Sequence, residues 1–279
     1  MTELDVEVGA GRRLHVYDAG GRGARLAVFW CHGTPNLGAP PEPLFAAAAE
    51  LGIRWVSYDR PGYGGSTPRP DRSIGSAAGD VSRAADALGL DRFAIMGHSG
   101  GGPHALACGA LLPQRVLAVV SAAGIAPFGA EGLDWFAGMC ASGRASLRAA
   151  AAGREGKERH ESSGVVYDPE FTPADDAALA GPWGWLGSIA ARALEGGRGG
   201  LIEDDLAYVR PWGCDPSDVV APVLLLHGER DRVIPSSHSR WLSSRCRAAE
   251  LRLSPEDGHI SILATAGEAA LRWLRERAG

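Results

Sequence analysis

Short, unbroken apolar runs separated by stretches of helical spacing constrain this chain more than any other feature. Residues 25–31, 53–58, 92–96, 116–122 and 223–226 form such runs. They are too short for buried helices and do not alternate, so they read as strands buried on both faces. Residues 43–51, 73–88 and 103–112 carry helical apolar spacing between them. A parallel sheet with helices on both faces is the arrangement that buries both kinds of element. Residues 4–8 and 13–17 instead alternate apolar with polar, as a hairpin of half-buried strands broken at Gly9-Ala10-Gly11 would.

The rhythm changes from about residue 126 to 215, where Gly- and Ala-rich helical pieces replace apolar runs. It resumes with the 223–226 run, a helix near 236–246, a strand at 250–253 and a closing helix over 265–277. The expected class is therefore α/β: a mostly parallel central sheet with helices on both faces and an inserted helical cap. Residues 1–125 and 216–279 are read as the core and 126–215 as the insertion. A length of 279 residues accommodates one such domain.

Bulk properties exclude several classes of function. The net charge is -5, and no cluster of Lys and Arg offers a phosphate-binding face, so no nucleic-acid partner is expected. The mixed-sign run at 153–159 reads as a solvated face. The first residues show no basic start followed by an apolar segment, and the longest apolar stretch, 116–128, is too short to span a bilayer. No membrane role and a cytoplasmic location are expected. The five cysteines are scattered without a Cys-x-x-Cys pair, which indicates neither a disulfide framework nor a zinc site; no metal or organic cofactor is expected.

Chemistry concentrates at Gly97-His98-Ser99-Gly100-Gly101, which joins the 92–96 strand to the 103–112 helix. Gly-x-Ser-x-Gly in that context marks a sharp, strained turn that projects the serine hydroxyl above a sheet edge. A hydroxyl becomes a useful nucleophile only when a base takes its proton. His259, on the loop after the 250–253 strand, is the best placed of eight histidines. The carboxylate that orients it should follow the preceding strand, where Asp231 is preferred over the nearby Glu229 and Asp257. The order Ser99, Asp231, His259 is that of a nucleophile, acid and base on a parallel α/β sheet. Two backbone N–H groups should stabilise an oxyanion: Gly100 after the nucleophile, and Thr34 after the 25–31 strand, since Pro35 has no N–H. His32 reads as a structural loop residue.

Taken together, His32-Gly33-Thr34-Pro35, the 59–66 segment Asp-Arg-Pro-Gly-Tyr-Gly-Gly-Ser, the serine turn, His227-Gly228-Glu229-Arg230-Asp231 and Gly258-His259 resemble the ordered landmarks of the α/β-hydrolase superfamily. The likeness is to its esterase, lipase-like and proline-iminopeptidase-like bacterial members, and it covers nearly the whole chain except the insertion. It implies that the 59–64 loop braces the site without taking part in chemistry. Epoxide hydrolases and haloalkane dehalogenases carry a carboxylate where this chain has Ser99. Proline iminopeptidases show a Gly-Gly-Pro-Gly type oxyanion loop and a Trp after the nucleophile, where this chain has Gly33-Thr34-Pro35-Asn36 and Gly100. Cofactor-free haloperoxidases share the core but lack so long a cap.

The expected activity is hydrolysis of a small carboxylic ester, thioester or lactone through an acyl-enzyme. Cleavage of an amide or carbon–carbon bond by the same triad, or ligand binding without turnover, are the alternatives. A small ester-like molecule is the expected partner, and the sequence does not address oligomeric state. Trp135, Trp183, Trp185 and Trp212 are candidates for the substrate pocket, with packing under the cap as the alternative for each. Glu203-Asp204-Asp205 is either a site for a substrate amine or a solvated helix start or cap salt bridge. His104 is expected to pack near the site, and His160 and His238 to be exposed.

Overall fold

The computed structural model describes residues 1–20 and 23–279. Strands β1 (Thr2–Glu7) and β2 (Arg13–Ala19) pair antiparallel, joined through Gly9, Ala10 and Gly11, all three at positive φ. β3 (Leu26–Cys31), β4 (Ile53–Tyr58), β5 (Phe93–His98), β6 (Val116–Ala122), β7 (Val223–Gly228) and β8 (Ala249–Ser254) complete one sheet. Its order is β1-β2-β4-β3-β5-β6-β7-β8, parallel from β4 to β8 and antiparallel where β2 meets β4.

Helices α1 (Phe45–Glu50), α2 (Ser76–Ala87) and α3 (Gly101–Leu111) follow β3, β4 and β5. Five helices lie between β6 and β7: α4 (Ala141–Ala151), α5 (Arg154–Ser162), α6 (Pro173–Ala180), α7 (Trp185–Ala193) and α8 (Gly199–Tyr208). α9 (Ser237–Arg245) follows β7, and α10 (Ser261–Arg277) follows β8.

The unbroken apolar runs are explained by two cores, one on each face. In β3, Phe29 and Cys31 point into a cluster with Val81 of α2, Leu106 of α3 and Leu242 of α9. Val28 and Trp30 point into the opposite cluster with Ala48 of α1 and Leu271 of α10. Each such side chain contributes about 1.5–3 kcal/mol relative to an exposed one. Among the described residues no helix is long and apolar enough to cross a membrane.

This topology sets where chemistry can occur. β3 and β5 are neighbours, so the loops after them lie side by side, and β7 and β8 likewise present their C-terminal loops together. In an open parallel sheet the crevice beyond these strand ends is where functional groups gather.

Candidate active site

Ser99 sits between β5 and α3 with φ at +55°, a left-handed conformation rare for a side-chain-bearing residue. The turn holds because its neighbours are glycines. A Cβ on Gly97 would run into the Gly101 carbonyl, and one on Gly101 into the Cys31 carbonyl of β3. Ser99 N–H donates to Ala122 O on β6 (2.9 Å), which ties the turn to the next strand.

His259 Nε2 lies 2.9 Å from Ser99 Oγ, and its Nδ1 lies 2.7 Å from Asp231 Oδ2. An ionised carboxylate only accepts, so Nδ1 carries the proton and Nε2 is left to accept from the serine hydroxyl. Asp231 is held in place by Val233 N–H and Ile234 N–H, both donating to Oδ1 (2.8 and 2.9 Å). Burial works against its charge, but His259 and His227 outweigh burial and keep the carboxyl below the usual range. The rival acids face elsewhere. Glu229 pairs with Arg240, and Asp257 accepts from Ser254 Oγ (2.5 Å) and Thr265 Oγ1 (2.6 Å). His98 Nε2–H donates to His259 O (2.8 Å), and burial pushes the His98 imidazole down to about 3, so it stays neutral.

Thr34 and Gly100 both border the same cavity as Ser99. The Thr34 loop is fixed by a charge cluster that the sequence did not reveal. Arg60 Nη2 donates to Gly33 O (2.9 Å) and Thr34 Oγ1 (3.0 Å), and Nη1 donates to His32 O. Arg60 and Arg72 converge on Asp204 of α8 at 2.6 and 2.5 Å. Asp204 is fully buried, and both guanidiniums hold its carboxyl well below the usual range against the opposing effect of burial. Thr34 Oγ1–H donates to Asp204 Oδ2 (2.5 Å), so the Tyr208 hydroxyl, 2.6 Å away, must donate to Thr34 Oγ1. His32 is a loop brace: Nε2 accepts from Arg60 N–H (3.0 Å) and Nδ1–H donates to Gly33 O (2.8 Å). The 59–64 loop braces as well, since Asp59 accepts from Gly38 N–H (2.7 Å), Gly65 N–H (3.0 Å) and Tyr17 OH (3.1 Å).

A cavity of about 500 Å³ opens above Ser99. Ile125, Leu147, Leu201, Val233 and Ile234 give it apolar walls, and Ser146, His160, Glu161, Arg198 and Asp205 give it a polar end. The four tryptophans proposed for this pocket are not among its lining. Trp135 donates Nε1–H to Ala126 O (2.8 Å) and packs edge-on against His238; Trp183 and Trp185 pack against the core under the insertion; Trp212 joins the α2–α3 core. Large aromatic surfaces gain much from burial, and here they tie the segment between β6 and β7 to the cores of the sheet.

Several polar expectations also need correction. His238 is fully buried, accepting from Ala126 N–H (3.1 Å) and donating to Trp135 O (3.0 Å), and His160 is half-buried at the cavity. Lys157, inside the run read as a solvated face, is fully buried against Glu161 and Asp205, each at 2.6 Å, and Ser146 Oγ (2.6 Å). Glu203, Asp204 and Asp205 are buried and paired with Arg154, with Arg60 and Arg72, and with Lys157 respectively. Of the readings open to this run, the salt bridge is the one found, with partners distant in the chain. His104 does pack near the site, donating Nδ1–H to Gly100 O (2.7 Å). Among the described residues no group of three or more His, Cys, Asp or Glu is placed to hold a metal ion.

A family model described as alpha/beta hydrolase fold matches residues 27–151. An epoxide hydrolase from Caballeronia sordidicola is 33% identical over 122 residues, 43% of this chain and 36% of that protein; the match thus spans about a third of the relative's length. Two solved structures superpose along nearly the full length. A bromoperoxidase from Bacillus anthracis has a TM-score of 0.76 at 18% identity, covering 99% of this chain and 100% of its own. An enol-lactonase from Burkholderia xenovorans has a TM-score of 0.73 at 21% identity, covering 96% and 98%. With an eight-stranded sheet in this order and a strained serine turn at its centre, the chain has the α/β-hydrolase fold.

Proposed function

We propose that this protein is a serine hydrolase that cleaves small carboxylic esters, with thioesters and lactones in the same chemical reach. The observation that carries the reading is the unbroken chain from Ser99 Oγ through His259 to Asp231, at 2.9 and 2.7 Å. His259 Nε2 takes the hydroxyl proton as Ser99 attacks the carbonyl carbon. Asp231 fixes the tautomer and stabilises the imidazolium that forms. The N–H groups of Thr34 and Gly100 receive the developing oxyanion. His259 then protonates the leaving alcohol, and a water activated by the same imidazole hydrolyses the acyl-serine.

Residues 126–215 act as a cap whose cavity admits a substrate of modest size, with apolar walls for an acyl or alcohol chain. A serine at the nucleophile position argues against opening an epoxide, the activity in the name of the Caballeronia relative. An aminopeptidase reading loses the acidic site it would need, because the carboxylates at 203–205 are already paired. The decisive experiment is labelling with a fluorophosphonate, followed by a scan of p-nitrophenyl esters of increasing chain length alongside prolyl arylamides. An adduct on Ser99, absent in Ser99→Ala, with ester turnover exceeding arylamide turnover is expected. Folded protein that forms no Ser99-dependent adduct refutes the proposal.

A further inference from the structure

The geometry points to Asp175 of α6 as a positioning residue for His259, an inference that rests on the proposed roles of Ser99 and His259. Asp175 lies 84 residues from His259 in sequence and in the inserted segment, and it is not among the residues that line the cavity. Asp175 is 1% exposed, and its carboxylate accepts from three successive amides of the histidine loop. His259 N–H donates to Oδ2 (3.2 Å), and Ile260 N–H and Ser261 N–H both donate to Oδ1 (2.8 Å each). These are the amides that open α10, groups that have no partner within their own helix. A carboxylate at a helix start satisfies them and complements the helix dipole.

The same carboxylate closes a capping box on its own helix. Thr172 N–H and Thr172 Oγ1–H donate to Asp175 Oδ2 (3.1 and 2.9 Å), and Asp175 N–H donates to Thr172 Oγ1 (3.1 Å). One side chain therefore caps two helices, one in the insertion and one that begins just after the base. The approach is close enough that a Cβ on Gly258 would overlap Asp175 Oδ2. Glycine next to the histidine is thus required by the carboxylate that reaches past it. His259 is then held from both sides of its backbone: its N–H by Asp175 and its carbonyl by His98. Burial opposes ionisation of Asp175, yet the amides of Ser261, Thr172 and Ile260 keep its carboxyl below the ordinary value.

The consequence is that the insertion does more than shape the pocket. It fixes where His259 Nε2 points, and the 2.9 Å contact to Ser99 depends on it. Loss of the carboxylate should reduce proton transfer while leaving substrate binding nearly intact, because no cavity wall moves with it.

The test compares wild type with Asp175→Ala, Asp175→Asn and Thr172→Val, using the rate of fluorophosphonate labelling, kcat and KM on p-nitrophenyl acetate, and thermal unfolding. Wild type must first label at Ser99; if it does not, the proposed function fails and the positioning role has nothing to act on. Given labelling, Asp175→Ala should lower kcat and the labelling rate about 10- to 100-fold with KM within about 3-fold. Asp175→Asn, which keeps the shape and one acceptor oxygen, should fall between. Thr172→Val weakens the cap of α6 but leaves the carboxylate on residues 259–261, so it should keep kcat within about 3-fold. If Asp175→Ala fails to fold, the Asp175→Asn and Thr172→Val pair makes the same comparison. Wild-type labelling and kcat in the folded Asp175 variants, or an equal loss in Thr172→Val, would overturn the inference.

Discussion

Asp204→Ala asks how much of the site is held by buried charge. The carboxylate receives Arg60 Nε (3.0 Å), Arg60 Nη2 (2.6 Å), Arg72 Nη2 (2.5 Å), Tyr63 OH (2.9 Å) and Thr34 Oγ1 (2.5 Å). Its removal strands two guanidiniums whose side chains are 3% and 2% exposed. Breaking a buried pair from one side costs about 3–5 kcal/mol. Tyr63 and Thr34 each lose a hydrogen bond worth about 1 kcal/mol. Arg60 keeps its bonds to His32 O and Gly33 O, which places the total near the lower end of the sum, about 5 kcal/mol. Against a typical stability of about 5–15 kcal/mol, that loss is large. Urea unfolding followed by tryptophan fluorescence should show the midpoint falling by about 1 M or more at an m-value near 3 kcal/mol/M. Asp204→Asn, which retains an acceptor oxygen, should fall less. A midpoint for Asp204→Ala within about 0.3 M of wild type, at unchanged m, would refute the reasoning.

Three further outcomes are expected. Ser99→Gly and Ser99→Ala both remove the hydroxyl and abolish ester turnover, but the glycine variant should be more stable by about 1 kcal/mol, since residue 99 sits at φ +55°; equal denaturation midpoints would contradict strain at the turn. Burial holds His98, His104 and His238 down to about 3 and His32 well below its usual value, all under the unfolded pKa. The unfolded chain therefore binds more protons as pH falls from about 6.5 towards 3, and each histidine removes up to about 1.4 kcal/mol per pH unit over that window; a flat stability profile between pH 6.5 and 4.5 would count against neutral buried imidazoles. Leu201→Trp fills part of the apolar wall above Ser99 and should shift preference towards shorter p-nitrophenyl esters, with longer chains losing kcat/KM most; an unchanged chain-length profile would move the acyl site elsewhere.

The residues that could be located from sequence share one property: their conformation is set within a few residues. Gly97 and Gly101 announce a turn that only glycine permits, and Gly228 marks a close backbone approach between the end of β7 and the loop after β8, the loops that carry Asp231 and His259. Strand order then brings these three loops to one edge, so local signals were enough to place Ser99, Asp231 and His259 together. The insertion obeys different rules. Which face of α8 is buried depends on Arg60, 144 residues away, and on Lys157 of α5; nothing in Glu203-Asp204-Asp205 itself records those partners. The tryptophans follow the packing alternative for a related reason. Their area makes them valuable wherever two layers meet: Trp135, Trp183 and Trp212 are buried in the two cores, and Trp185 packs partly buried against one of them. Thr172-x-x-Asp175 could be read as a helix start, yet the second set of donors it accepts, at 259–261, belongs to a helix that comes after two further strands in the chain. Buried carboxylates in an inserted segment therefore report on the core they grip, and in this protein both Asp175 and Asp204 grip loops adjoining Ser99.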